Sequence, residues 1–359
     1  MAFSNLRKET SERSDSSNWA KKCLIANTPF HFDSIEGCNE NAENLATHLF
    51  ERARVDYDGH DDMNEETILQ LIIDLETTPV LQRKINFAKA LHVKLSYVLY
   101  CNGIDYVWIY EFEGINSLKR TNFFNSYPAF STWIKTIKGW PSNKIFREKQ
   151  DLPYFDKALR RAGTAWPTNI DCFISDANNN PIAILEFQNA HTVTVKEHCN
   201  NEYFLCKQSY INQNGYTDYH DDIRRWQSQE ILRLQSGLRL IVITWQMENR
   251  DFILKEVDNI TFPDLPFSRD WNLHSAYKKA MHDYASTRNP KEGRVIAHNF
   301  MSYNLRYEAP IMRKDIHTPP LSSKNQTFPF IYYKFKQLVT EHGDQLPVML
   351  THLLTNQYT

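Results

Sequence analysis

Glycine is scarce in this chain, with 10 among 359 residues. None falls in a GxGxxG or a P-loop, so the glycine-rich phosphate cradle of nucleotide-cofactor enzymes is missing. A GxSxG nucleophile elbow is missing as well. No run of 18 apolar residues occurs, which leaves no candidate for a transmembrane helix. The opening MAFSNLRKETSERSDSSNW contains no apolar signal core and reads as a polar leader. Six cysteines are scattered at 23, 38, 101, 172, 199 and 206 without one CxxC pair. Cys101 and Cys172 fall in apolar runs, as buried free thiols do. This usage points to a reducing, cytoplasmic location. His198, Cys199 and Cys206 fit no common zinc spacing.

Charge of either sign is not in excess overall, the formal net being −2, but it is unevenly spread. Residues 1–80 hold 7 Lys/Arg against 16 Asp/Glu, and the rest holds 34 against 27. An acidic opening and a basic remainder are compatible with a nucleic-acid face on the later part, and also with ordinary surface charge. Hydrophobic residues at 42% and aromatics at 13% suffice for a sizeable core.

Helical spacing covers NEETILQLIIDLETT from Asn64 and PVLQRKINFAKALHVKL from Pro79. LSYVLYCNGIDYVWIYEF then turns β-rich on both sides of Asn102-Gly103, a hairpin signal. Residues 1–120 therefore read as a helical and hairpin region. Between Ser131 and Arg161, eight Lys/Arg face three acids, with Trp133, Trp140 and Tyr154 interleaved. That is either a solvated helix face or a phosphate-contacting patch. YFDKALRRAG within it predicts a short helix stopped by Gly163. TNIDCFI and PIAILEFQ predict two strands around an Asn-rich turn. TDYHDDIRRWQSQEILRLQSG predicts a helix with acids in its first turn and Gly237 at its end. LRLIVITWQ predicts a fully buried strand. The order gives an α/β or α+β core over 121–270 with one mixed sheet flanked by helices. Residues 271–359 read as a helical, loop-rich addition. HSAYKKAMHDYAS is one helix there, and PFIYYKFKQLVTEHGDQLPVMLTHLL reads as two helical pieces.

The chemistry concentrates at PTNIDCFISDANNNPIAILEFQNA. Side chains alternate along a strand, so Ile182, Ile184, Glu186 and Gln188 share one face. That face is apolar until its end. Asn169, Asp171 and Phe173 share a face of the preceding strand. Pairing around the Asn-rich turn brings Asp171 opposite the Glu186 end to within a residue or two. Two carboxylates in a half-buried cleft repel, so one is protonated or a cation bridges them. Mg²⁺ is the natural bridge, because it takes oxygen ligands and polarises phosphodiesters. The structural alternative has Asp171 capping a turn and Glu186 paired with an arginine such as Arg224. YHDD at 219–222 looks metal-binding but falls where a helix start attracts acids.

This order of elements, with D171…E186-F-Q188, resembles the PD-(D/E)XK nuclease superfamily, which includes most type II restriction endonucleases. The resemblance spans roughly residues 140–250. Pro167 stands four residues before Asp171 instead of next to it, and Gln188 stands where most members carry lysine. The resemblance implies a restriction-endonuclease-like core and a Mg²⁺-dependent endodeoxyribonuclease that leaves 5′-phosphates. Asp171 and Glu186 would bind the metal, with Asp156 or Glu148 assisting, and Gln188 would position the attacking water. Lys196 or Lys207 would supply the charge that Gln188 lacks. Lys149, Lys157, Arg160 and Arg161 would hold the backbone of double-stranded DNA. The terminal segments would serve recognition or dimerisation in a homodimer. Two rival readings follow: a catalytically inactive nucleic-acid-binding protein on the same fold, and a repair or modification-dependent nuclease.

Overall fold

The computed structural model describes residues 3–9, 18–41, 43–57, 64–138, 152–190, 194–195, 209–211, 215, 217–219, 223–261 and 332–355. In chain order the elements are β1 (Phe3–Arg7), α1 (Trp19–Asn27), β2 (His31–Glu40), β3 (Ala46–Tyr57), α2 (Glu65–Glu76) and α3 (Thr78–Ala90). Next come β4 (Leu95–Cys101), β5 (Tyr106–Gly114), β6 (Ser117–Phe124), α4 (Tyr127–Ile137), α5 (Tyr154–Arg161), β7 (Thr168–Ser175) and β8 (Pro181–Asn189). The last are β9 (Ser209–Ile211), β10 (Thr217–Tyr219), α6 (Ile223–Ser236), β11 (Arg239–Trp245), β12 (Asp251–Thr261), β13 (Tyr332–His342) and α7 (Leu346–Thr355). The protein is thus mixed α/β. It divides into two compact units, residues 1–16, 29–182 and 234–237, and residues 17–28, 183–233 and 238–359.

In the first unit the strands lie in the order β7-β2-β3-β4-β5-β6, with β1 beside β3. Only β3 and β4 run parallel, because α2 and α3 cross over between them. Every residue of β4 is buried, as its unbroken apolar run requires. Val98 and Tyr100 of β4 meet Phe130 and Ile134 of α4 and Phe155 and Leu159 of α5 in one core. The Tyr100 and Phe155 rings stack at 4.1 Å. Tyr97, on the opposite face of β4, donates to Glu76 at the end of α2. Helices therefore lie against both faces.

The Asn-rich turn is a rigid device. Asp176 accepts the amides of Asn178 and Asn180, and Asn179 sits at φ 63, a left-handed conformation that asparagine tolerates. Asn86 of α3 donates to the Asn179 carbonyl, and Arg83, paired with Asp33, reaches its side chain. The turn is thereby pinned to α3.

The second unit orders its strands β13-β12-β11-β8. β8 and β11 are parallel and joined through α6, while β11–β12 and β12–β13 are antiparallel. The α1 residue Trp19 meets Trp245 edge-on and donates to the Gln246 carbonyl at 2.5 Å. Its ring also covers Gly343. A β-carbon on Gly343 would come within 2.6 Å of that ring and 3.0 Å of the Arg250 carbonyl oxygen. Gly343→Ala is therefore expected to cost about 1–3 kcal/mol through overpacking. Urea denaturation measures this, and an unchanged midpoint would contradict the close approach.

Several expectations hold. The two helices after Asn64, the hairpin at Asn102-Gly103, the short helix ended by Gly163 (φ +81), both strands of the Asn-rich hairpin and the buried LRLIVITW strand are all present. Others need correction. YYKFKQLVTEH is a strand, not a helix, while LPVMLTHLLT is helical as expected. The described part of α6 runs from Ile223 to Ser236, and His220, Asp221 and Asp222 lie outside the described residues. Tyr219 belongs to β10 instead. The first region also holds the strands β2, β3 and β6. HSAYKKAMHDYAS lies outside the described residues.

Candidate functional site

The β8 strand carries three aliphatic layers and then a polar end, with Glu186 only 3% exposed. Parallel register sets Glu186 beside Val242 and Gln188 beside Thr244 on β11. Antiparallel register continues both rows, Val242 to Lys255 and Thr244 to Ile253 on β12. Paired residues point to the same face of a sheet. Glu186, Gln188, Thr244 and Lys255 therefore share one face of the second unit. Lys255 is fully buried there.

The α6 helix covers this face. Arg225 and Gln229 are four residues apart and so project from one side of the helix. Arg225 pairs with one Glu186 oxygen at 2.6 Å, and Gln229 donates to the other at 2.6 Å. Arg225 itself is 40% exposed. Neighbouring Trp226 is sealed in the core and anchors the helix.

Three buried oxygens on this face have no hydrogen-bond partner among the described residues: Gln188 Oε1, Gln229 Oε1 and Thr244 Oγ1. An unsatisfied buried polar atom costs about 1–3 kcal/mol, so this face leaves hydrogen-bonding capacity open among the described residues. Together with Glu186 the set is all oxygen, which suits a hard cation such as Mg²⁺. Among the described residues no group of three or more His, Cys, Asp or Glu is placed to hold a metal ion.

The other candidates lie in the first unit or outside the described residues. Asp171 stands on β7 in the first unit, half-buried, accepting from Asn169 at 2.6 Å. Asp156 is buried on α5 with both oxygens held by Arg52 at 2.8 and 3.1 Å. Lys157 and Arg160 are half-buried on α5 and Arg161 is exposed. Part of the basic cluster is structural: Lys135 and Lys138 donate to the carbonyls of Ala162 and Ala165 just past α5. Glu148, Lys149, Lys196, Lys207, His198, Cys199, Cys206 and the aspartates of YHDD lie outside the described residues.

Sequence reasoning missed Arg225, Gln229, Thr244 and Lys255. Thr244 was visible as a lone polar residue inside the apolar run LIVITW, and Lys255 as one of two charged residues inside FILKEV. Arg225 and Gln229 carried only their i,i+4 spacing. No family model matches the chain, and comparisons with curated proteins and with solved structures found no match.

Proposed function

We propose that this protein is a Mg²⁺-dependent endodeoxyribonuclease whose reaction centre is organised by Glu186 and Gln188 of β8. The observation that carries the reading is a buried carboxylate on the same face as three oxygens that have no hydrogen-bond donor among the described residues. Packing alone does not favour such a cluster at the end of an apolar strand. Bound magnesium would supply Lewis-acid polarisation of the phosphodiester and a more acidic water. Glu186 would hold the cation, and the amide oxygen of Gln188 would accept from the attacking water and orient it. Arg225, 40% exposed, supplies the positive charge beside Glu186 that a bound cation would otherwise supply. Exposed Arg161, with Lys157 and Arg160, offers charge to DNA phosphates.

A second reading is favoured by one observation, the neutralisation of Glu186 by Arg225 and Gln229. It makes the protein a nucleic-acid binder without catalysis. Incubation of the purified chain with supercoiled plasmid, with and without Mg²⁺, alongside gel-shift binding, separates the two. The nuclease reading expects nicked or linear DNA bearing 5′-phosphates only when Mg²⁺ is present. Binding with no cleavage at any Mg²⁺ concentration would overturn it in favour of the second reading.

A further inference from the structure

The first unit contains a slot in its sheet. β2 and β3 pair only where Gly37–Glu40 faces Ala46–Phe50. Before Gly37, β2 has no partner on β3 and pairs with β7 alone, a pairing that runs from His31 against Ser175 to Cys38 against Thr168. The far half of β3 would be left with an open edge, and β1 fills it.

The backbone grip on β1 is thin. Its register with β3 is Phe3 to Tyr57, Ser4 to Asp56 and Arg7 to Arg54, with an irregularity between the last two. Asn5, inside that irregularity, sits at φ 67. Arg7 pairs with Asp56 at 2.5 Å, but both side chains are 40–50% exposed, where ion pairs contribute little.

The residues just after β1 hold far more firmly. The Lys8 ammonium meets Glu36 at 3.2 Å and also contacts Glu51 and Glu76. These acids come from three elements, β2, β3 and α2. Glu51 is fully buried and accepts the Glu36 amide at 3.3 Å. Lys84 of α3 supplies the second cation, 3.1 Å from Glu51 and 2.7 Å from Glu76. Glu9 then binds Arg54 at 2.7 Å and accepts from the Tyr100 hydroxyl at 3.1 Å. Burial opposes the Lys8 charge, yet Glu51, Glu36 and Glu76 outweigh it and raise its pKa.

We propose that β1 is a strap held shut by the Lys8 ammonium in the Glu36–Glu51–Glu76 pocket, so that loss of this one charge releases residues 3–9 while the rest of the first unit stays folded. Three carboxylates from separate elements converge on Lys8, whereas the adjoining ladder has three paired positions. Opening the strap bares the edge of β3 from Arg54 to Tyr57 and the acidic pocket beneath it. The inference is independent of the nuclease reading, since it concerns the first unit alone.

Amide hydrogen exchange of the full-length protein tests it. In Lys8→Met, the amides of residues 3–9 and 54–57 are expected to exchange at least about tenfold faster, and to accelerate more than those of β4 and α2. Lys8→Arg, which keeps the charge, and Arg7→Ala, which removes only the exposed pair, are expected to behave like wild type. Unchanged exchange in Lys8→Met would overturn the proposal, as would acceleration spread evenly over the unit or equal acceleration in Lys8→Arg. Wild-type protein gives a check that needs no variant. Its β1 amides are expected to open with a weaker denaturant dependence than those of β4. Exchange of β1 only through global unfolding would refute the strap.

Discussion

Lys84→Met is expected to lower the stability of the first unit by about 3–5 kcal/mol at neutral pH. Lys84 is 4% exposed and bonds both Glu51 and Glu76. Methionine fills the space but leaves two buried carboxylates sharing Lys8 alone. Replacing the whole group with apolar residues would be far milder, because the penalty arises from the stranded charges. The pH dependence has a definite sign. Burial by itself would raise the Glu76 pKa, but Lys84 and Lys8 outweigh it and hold the carboxyl at about 2, against the ordinary 4.5. A depressed acid contributes stability that is complete above its unfolded pKa and is lost as pH falls through its folded one. Glu76 therefore stabilises above about pH 4.5 and loses that contribution toward about pH 2. Glu51 runs the other way, since burial outweighs Lys84 and Lys8 and raises its pKa. Its contribution favours folding at low pH and is lost as pH rises through the raised value. Urea midpoints at pH 7 and pH 3 measure the effect. The gap between Lys84→Met and wild type is expected to narrow at pH 3, where the stranded acids can protonate. A gap that stays constant would mean that charge is not the cause.

Glu186→Gln is expected to reduce Mg²⁺-dependent DNA cleavage by about 10²–10³-fold, the usual loss when one group stabilising transition-state charge is removed. The substitution keeps the shape of the side chain and its contact with Gln229. It removes the only charge of the Glu186–Gln188 strand end. Folding should survive, because Arg225 is 40% exposed and can turn to water once its partner is neutral. DNA binding should survive as well, since phosphate contacts belong to other residues in this reading. Asp171→Asn, measured in parallel, is expected to give a loss of the same order if the two acids serve one reaction. Undiminished cleavage in Glu186→Gln would remove Glu186 from the reaction. Undiminished cleavage in Asp171→Asn alone would confine the site to the second unit.

Much of the fold could be read locally. Asn64 before an apolar helical pattern, Gly163 and Gly237 after two others, and the alternation in PIAILEFQ each needed only neighbours in sequence. β2 and β3 escaped because buried acids and arginines break their alternation. Asp33, Glu36, Glu51 and Arg52 look like surface residues in a sequence, yet their charges meet inside the first unit. β13 escaped for a different reason. Its register with β12 skips Leu338, which breaks the two-residue alternation that marks a strand in a sequence.

The sequence by itself determined that Glu186 and Gln188 share a face of β8, since strand alternation admits no other arrangement. It also determined the turn that precedes them. Only the tertiary structure decided what Glu186 meets. Nothing local says which later element will cover the carboxylate. The packing of α6 brings Arg225 and Gln229 to it. Likewise, nothing in the opening residues announces that Lys8 will lie among acids from positions 36, 51 and 76. Periodicity encodes which way a side chain points from its own element. The partner across a sheet or on a covering helix is fixed by long-range register, which a single sequence does not carry.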